Sequence, residues 1–260
     1  MSYSPISQVM RKTIHHTALL RPGEQGFSLV ELMVAVTISF ILMAGISHIF
    51  LGSKTSYNLQ DGLGRLQENA RFALDILHHS ISMTAYSGTL LPLNNAIDST
   101  NSRENYSANA SLGFITASKT ASDTIEVHYT STTDCLGNAT GGEAHDRFYV
   151  DGTNLMCLGN GSGTAGVIAE GVENMQILYG EDTNNDAIAN VYVNADNITD
   201  WNAIISVRVA VLVSTVQAVG NGTADNKTHV LLNTPAIGPI NDHVIRRVFT
   251  RTIILRNKLI

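Results

Sequence analysis

The sequence predicts an α+β fold: one long N-terminal α-helix, with a membrane half and an amphipathic half, packed on an antiparallel β-sheet head. Three observations predict it. Residues 32–51 (LMVAVTISFILMAGISHIFL) contain no Lys, Arg, Asp, Glu or Pro. Apolar residues then recur at intervals of three and four as far as Ile81. After a polar stretch the chain breaks into short apolar–polar alternations, without the βα repeat that a parallel sheet requires.

The apolar run comes first. About 20 helical residues rise about 30 Å, enough to cross a bilayer core. His48, near one end, is its only ionisable residue. Glu31 lies just ahead of the run, in the same apolar context. A carboxylate at membrane depth costs on the order of 2.5–3.5 kcal/mol. Glu31 therefore either has a partner there or marks the headgroup edge of the helix. The whole chain carries −6. Arg11, Lys12 and Arg21 against Glu24 make residues 1–26 net basic, so the rest is more acidic still. That acidity argues against a nucleic-acid surface, which needs clustered Lys and Arg. The basic leader predicts a cytoplasmic N-terminus.

Gly26-Phe27-Ser28-Leu29-Val30-Glu31 leading into an apolar helix resembles the class III signal of type IV pilins and type II secretion pseudopilins. The resemblance implies that a prepilin peptidase cuts after Gly26 and that the new N-terminus, Phe27, is N-methylated. It also implies that Glu31 stays in the membrane and meets the N-terminal amine of a neighbouring subunit. A secretory signal is cut after its apolar segment. Here the implied cut precedes that segment, so the helix stays with the mature protein.

The amphipathic half follows. Leu59, Leu63, Leu66, Ala70, Ala73, Leu74, Leu77 and Ile81 form one face, and Gln60, Asp61, Arg65, Gln67, Glu68, Arg71, Asp75 and His78 fill the other. Glu68–Arg71 and Arg71–Asp75 have the spacing of helix-surface ion pairs. The whole helix is expected from about Phe27 to about His79, roughly 80 Å. Gly45, Gly52, Gly62 and Gly64 interrupt it, each costing about 1 kcal/mol relative to Ala. No Pro lies between Pro22 and Pro92, a departure from major pilins that carry one in the membrane half. The expected organisation is a leader at 1–26, a transmembrane half at 27–52, an amphipathic half at 53–81 and a β-rich head at 82–260.

Residues 82–111 are rich in Asn, Ser and Thr and read as a connecting loop with short local elements. Residues 124–130 (TIEVHYT) alternate as a strand does. Residues 147–150 and 153–158 flank Asp151-Gly152 and predict a hairpin with an Asp-Gly turn. Residues 172–179, 203–215 and 247–255 are further strands.

Cys135 and Cys157 bracket the first strand of that hairpin. On the periplasmic side a disulfide persists, and closing such a loop contributes about 3 kcal/mol. No C-x-x-C motif points to a metal or redox pair. Asp182, Asn184, Asp186, Ile188 (through its carbonyl) and Asn190 place oxygens at alternate positions, as calcium loops do. Ala187 stands where such loops turn on glycine, and no Glu stands at the twelfth position. The stretch thus reads either as a calcium loop or as an Asn/Asp-rich surface turn, with no other cofactor required. Gly161-Ser-Gly163-Thr-Ala-Gly166 fits G-x-G-x-x-G but opens no βαβ unit, so it reads as a flexible loop. His78 and His79 belong to a solvated face. His128 and the pair His145-Asp146 have no motif-linked nucleophile, and G-x-S-x-G and H-E-x-x-H are absent. The chain is not expected to be an enzyme.

The second half narrows the resemblance. Residues 180–190 (GEDTNNDAIAN), Tyr192-Val193, Trp201, Ser206-Val-Arg-Val-Ala-Val and residues 246–257 are similar to PilW-type minor pilins. The resemblance implies a subunit that helps prime or cap type IV pilus assembly. Its implied partners are other minor pilins, the major pilin, prepilin peptidase and a pilus-tip adhesin. The implied location is the inner membrane, head in the periplasm, and then the pilus at or near its tip. A J-type minor pseudopilin of a type II secretion system shares the same signal and helix. A membrane-tethered periplasmic enzyme is the more distant alternative.

Overall fold

The computed structural model describes residues 26–84, 86, 97, 103–106, 122–219 and 225–258. The leader before Gly26 and most of the stretch expected to connect helix and sheet lie outside the described residues. The chain divides into two compact units, Met1–Phe50 and Leu51–Ile260.

One helix, α1 (Leu29–Met83), runs through both units. It starts two residues later and ends four later than the periodicity predicts. Ser28 begins it: its Oγ accepts the Glu31 N–H at 3.1 Å, and its carbonyl accepts the Leu32 N–H. Ser28-x-x-Glu31 thus has the form of a capping box, with an acidic residue where the helix dipole favours one. In the first unit every helical residue is exposed. The hydroxyls there bond inward, Thr37 to the Val34 carbonyl, Ser39 to Ala35 and Ser47 to Met43. Such bonds let a hydroxyl sit in lipid without an unsatisfied donor.

In the second unit the helix buries Leu66, Ala70, Ala73, Leu74, Leu77, Ser80 and Ile81. Six of the eight expected core residues are among them, while Leu59 and Leu63 are half-buried. Arg65–Asp61, Arg71–Glu68 and Arg71–Asp75 pair along the exposed face. His78 departs from the expected solvated face: it is half-buried, and burial lowers its pKa. The last carbonyls of the helix, on Ser82, Met83 and Thr84, accept from the Asn257 amide near the C-terminus. These groups have no partner within a helix.

The head holds two antiparallel sheets. The first contains β1 (Arg103–Tyr106), β2 (Ser122–Thr133), β3 (Ala139–Asp151), β4 (Asn154–Gly159) and β5 (Ala165–Glu170), paired in that order. The second contains β6 (Val172–Glu181), β7 (Val191–Val193), β8 (Ile204–Ser214) and β9 (Arg246–Ile254), in the order β7-β6-β8-β9. Each expected strand is present, with 153–158, 203–215 and 247–255 overrunning the observed bounds by one residue at one end or both. The hairpin at Asp151-Gly152 is shifted by one residue. Asp151 pairs with Asn154, so Gly152 and Thr153 form the turn, with Gly152 at φ +61°. A glycine with positive φ at the first central position suits the twist of the strands. The G-x-G-x-x-G stretch is not simply a loop, because Gly166 belongs to β5.

The two sheets meet where β2 runs past β6. The Met175 N–H donates to Ser122 Oγ at 3.0 Å, and the Ile177 N–H to Asp123 Oδ2 at 2.8 Å. Side chains of β2 thus satisfy backbone donors of β6, which buried backbone requires. The face of α1, the inner faces of both sheets and Leu255 share one core. Ala210 and Leu212 on the other face of β8 pack with Leu231 and Ile237. Beside this second cluster Arg246 is almost fully buried, 2.7 Å from Glu173 and 2.6 Å from Asp242, with Asp225 at 3.5 Å. Burial alone would lower the Arg246 pKa, but its hydrogen bonds to Asp242 and Glu173 outweigh that and raise it.

Candidate functional site

The residues singled out at the N-terminus lie together in the first unit. Gly26 has open space around its α-carbon, and the Phe27 side chain is 83% exposed. Phe27, Glu31, Ala35, Ser39 and Met43, one helical turn apart, line a shallow groove with Leu32, Val36 and Phe40. Glu31 is the one charged residue on that lining. Ala35 and Ser39 are small, which makes the groove, and the larger side chains form its walls. The face can receive another apolar helix while presenting a single carboxylate near its N-terminal end. No other helix among the described residues is long and apolar enough to cross a membrane.

The disulfide is formed. Cys135, in the turn after β2, is joined to Cys157 on β4, with Cα atoms 6.6 Å apart. Two acids build the turn around it. Asp134 Oδ1 accepts the Leu136 and Asn138 amides at 2.9 Å, and Oδ2 accepts the Gly161 amide at 3.0 Å. Burial would raise its pKa, but these amides outweigh burial and lower it. Asp146 Oδ1 accepts the Cys135 amide, and Oδ2 accepts the Tyr129 hydroxyl at 2.5 Å. Here burial dominates and raises the carboxyl pKa. The spacing of Asp134 and Asp146 gives no sign of this arrangement.

The 182–190 loop joins β6 to β7. Asp182 accepts the amides of Asn184 and Asp186 at 3.2 Å and of Ala187 at 2.8 Å. Asp186 accepts from the Ile188 amide and the Asn184 side chain, and Asn190 Oδ1 accepts from Thr183. Asn185 and Ala187 both have positive φ, 60° and 63°. Of the oxygens expected to serve as ligands, those of Asp182, Asp186 and Asn190 thus accept from N–H donors of the same loop, while Asn184 and Ile188 enter these bonds as donors.

Two family models match the chain. Residues 21–47 match the prokaryotic N-terminal methylation motif, and residues 139–257 match type IV pilus-assembly protein W. No curated protein matches. Among solved structures, a type IV-like pilin from Thermus thermophilus is similar at TM-score 0.45 and 14% identity, over 74% of this chain and 98% of that one. The GspK-GspI-GspJ complex of the enterotoxigenic Escherichia coli Type 2 Secretion System is similar at TM-score 0.33 and 11% identity, over 73% and 97%. An N-terminal methylation motif on a long apolar helix, joined to an antiparallel head, defines the type IV pilin class. The two family matches, the second over 119 of the 260 residues, support a minor pilin of the type that the assembly-protein W model describes.

Proposed function

We propose that this minor pilin helps prime or cap assembly of a type IV pilus by packing its N-terminal helix against those of other minor pilins and the major pilin. The observation that carries this reading is the helix in the first unit, apolar and exposed throughout, with one carboxylate in its first turn. Prepilin peptidase frees the Phe27 amine by cutting after Gly26, and the inner membrane holds the subunit until it is extracted. The head lies in the periplasm before assembly and then at or near the pilus tip, where an adhesin is a further partner. The role is structural and needs no catalysis.

A carboxylate in lipid is expensive unless a cation meets it. The N-terminal ammonium of a neighbouring subunit is that cation, and the pair sets the axial step between subunits. Glu31→Gln keeps size and hydrogen bonding but removes the charge. It leaves cleavage at Gly26, membrane insertion and melting of the detergent-solubilised chain unchanged. It lowers co-purification with partner pilins and the number of pili per cell, and Glu31→Ala does the same. Normal piliation in both variants overturns the assembly role of Glu31. Loss of protein secretion, with pili intact, on deleting the protein moves it to a secretion pseudopilus.

A further inference from the structure

We propose that Glu126, His128 and His145 form a binding site for a divalent transition-metal ion, with zinc as its ion. β2 and β3 are paired so that His128 lies directly opposite His145 and Glu126 opposite Arg147. Alternate residues of a strand share a face. Glu126, His128, His145 and Arg147 therefore stand on one face of the first sheet, opposite the face that carries Tyr129 and Asp146. The two imidazoles are stacked, with ring centroids 3.9 Å apart and planes 11° from parallel. Glu126 Oε1 is 3.1 Å from His128 Nε2. One ligand atom from each of the three residues lies within 4.8 Å of the others.

The chemistry of this set favours zinc. Two imidazoles and one carboxylate are the ligands of a three-coordinate protein site with a further position open. All three approach from the same side, out of one sheet face. That suits a tetrahedral ion and not the square-planar preference of Cu(II). Stacked rings point their nitrogens in parallel, so binding turns the imidazoles about χ2, a broad and soft torsion. The metal then replaces the proton shared between Glu126 and His128. Arg147 Nε holds Glu126 Oε2 at 2.7 Å, which fixes the carboxylate and leaves Oε1 toward the site. Supporting contacts of this kind orient a ligand. Glu143 Oε1 lies 3.6 Å from His145 Nε2. Two carboxylates against one guanidinium leave the neighbourhood favourable to a dication. The His145 side chain is 38% exposed and offers an entry path, while those of His128 and Glu126 are 15% and 11% exposed. Among the described residues the other close grouping of ligand types, Cys135, Asp146 and Cys157, is spent on the disulfide.

The test uses the detergent-solubilised full-length chain, stripped with chelator and titrated with zinc, and separately with cobalt(II) for its visible absorption. One zinc per chain is expected, with a tetrahedral cobalt spectrum. His145→Ala, at the most exposed ligand, weakens zinc by more than the roughly 10–100-fold loss typical of a supporting group. His128→Asn does the same, and Glu126→Gln weakens it at least about tenfold. Far-UV circular dichroism and an oxidised Cys135–Cys157 pair in chelator establish that each variant is folded. Absence of stoichiometric binding overturns the site. Binding that survives His145→Ala, or that is lost instead with His78→Ala and His79→Ala, also overturns it.

Discussion

The two halves of α1 share one backbone and differ in where their partners are. Before Leu51 the helix is apolar on every side and exposed on every side, Leu42 at 61% for instance. From Leu66 onward it is apolar on one side only, and that side is buried, with Leu77 at 0%. Exposed apolar surface on this scale marks a membrane or another protein. The difference teaches that the first half is shaped by molecules outside the chain and the second by the chain itself. Substitutions should therefore separate the halves by readout: assembly and insertion for one, melting for the other.

The largest separation is expected at the leucines. Leu77→Ala removes a fully buried side chain from the shared core and should cost about 2–5 kcal/mol. Leu42→Ala should leave melting of the detergent-solubilised chain unchanged. Thermal unfolding followed by circular dichroism measures both. Equal shifts for the two variants would break the comparison.

The glycines sharpen it at intermediate size. A Cβ on Gly62 would lie 2.7 Å from Val219 Cγ1, whereas nothing lies within 4 Å of one on Gly64. Gly62→Ala should destabilise by about 1–3 kcal/mol through crowding. Gly64→Ala should stabilise by up to about 1 kcal/mol through helix propensity. The two glycines look alike in the sequence, and only the approach of the segment at Val219 distinguishes them.

That pair also shows what was legible. The helix and its buried face were legible because a 3.6-residue period survives in the order of residues. The strand β8 was legible because it is apolar for most of its length. β5 and β7 were not: β5, as short as β4, opens inside the Gly-rich stretch that reads as a loop, and three residues give β7 too short a pattern. The junction of the two sheets was hidden as well, since it rests on Ser122 and Asp123 reaching backbone amides some fifty positions away. Gly26, Phe27 and Glu31 could be read as a motif because they fall within six consecutive residues. His128 and His145 became neighbours only through strand register, which no local spacing reports.

pH acts on the head through Asp134. Its folded pKa lies below the ordinary carboxylate value, so the stability it contributes is present above that value. It is lost as pH falls through the lowered folded pKa. Asp146 has the opposite sign: its pKa is raised, so its ionised form costs stability at neutral pH, and the cost is relieved on acidification. Asp134→Asn should therefore flatten the acid limb of the melting profile below about pH 4, where carboxylates titrate. An unchanged acid limb would mean that the amides around Asp134 hold the neutral group as well as the charged one.

The smallest effect is expected in the 182–190 loop, a region whose polar partners are inside the chain. Ala187 holds φ +63°, a conformation that costs a residue with a Cβ about 1–2 kcal/mol. Glycine removes that strain but gives back about 0.4–1 kcal/mol through the freedom of the unfolded chain. Ala187→Gly should thus raise stability by between about 0 and about 1.6 kcal/mol, the difference between those terms. The measurement is made in chelator, so that only the turn is read. The same curves in millimolar calcium test whether the loop oxygens also act as ligands, because a cation bound only to the folded chain raises its melting temperature. A rise that Asp182→Ala with Asp186→Ala abolishes would make calcium an outside partner of the head. Superposed curves would leave the loop closed by its own amides, with Asp182 as its cap, and would keep it on the same side of the comparison as the buried half of α1.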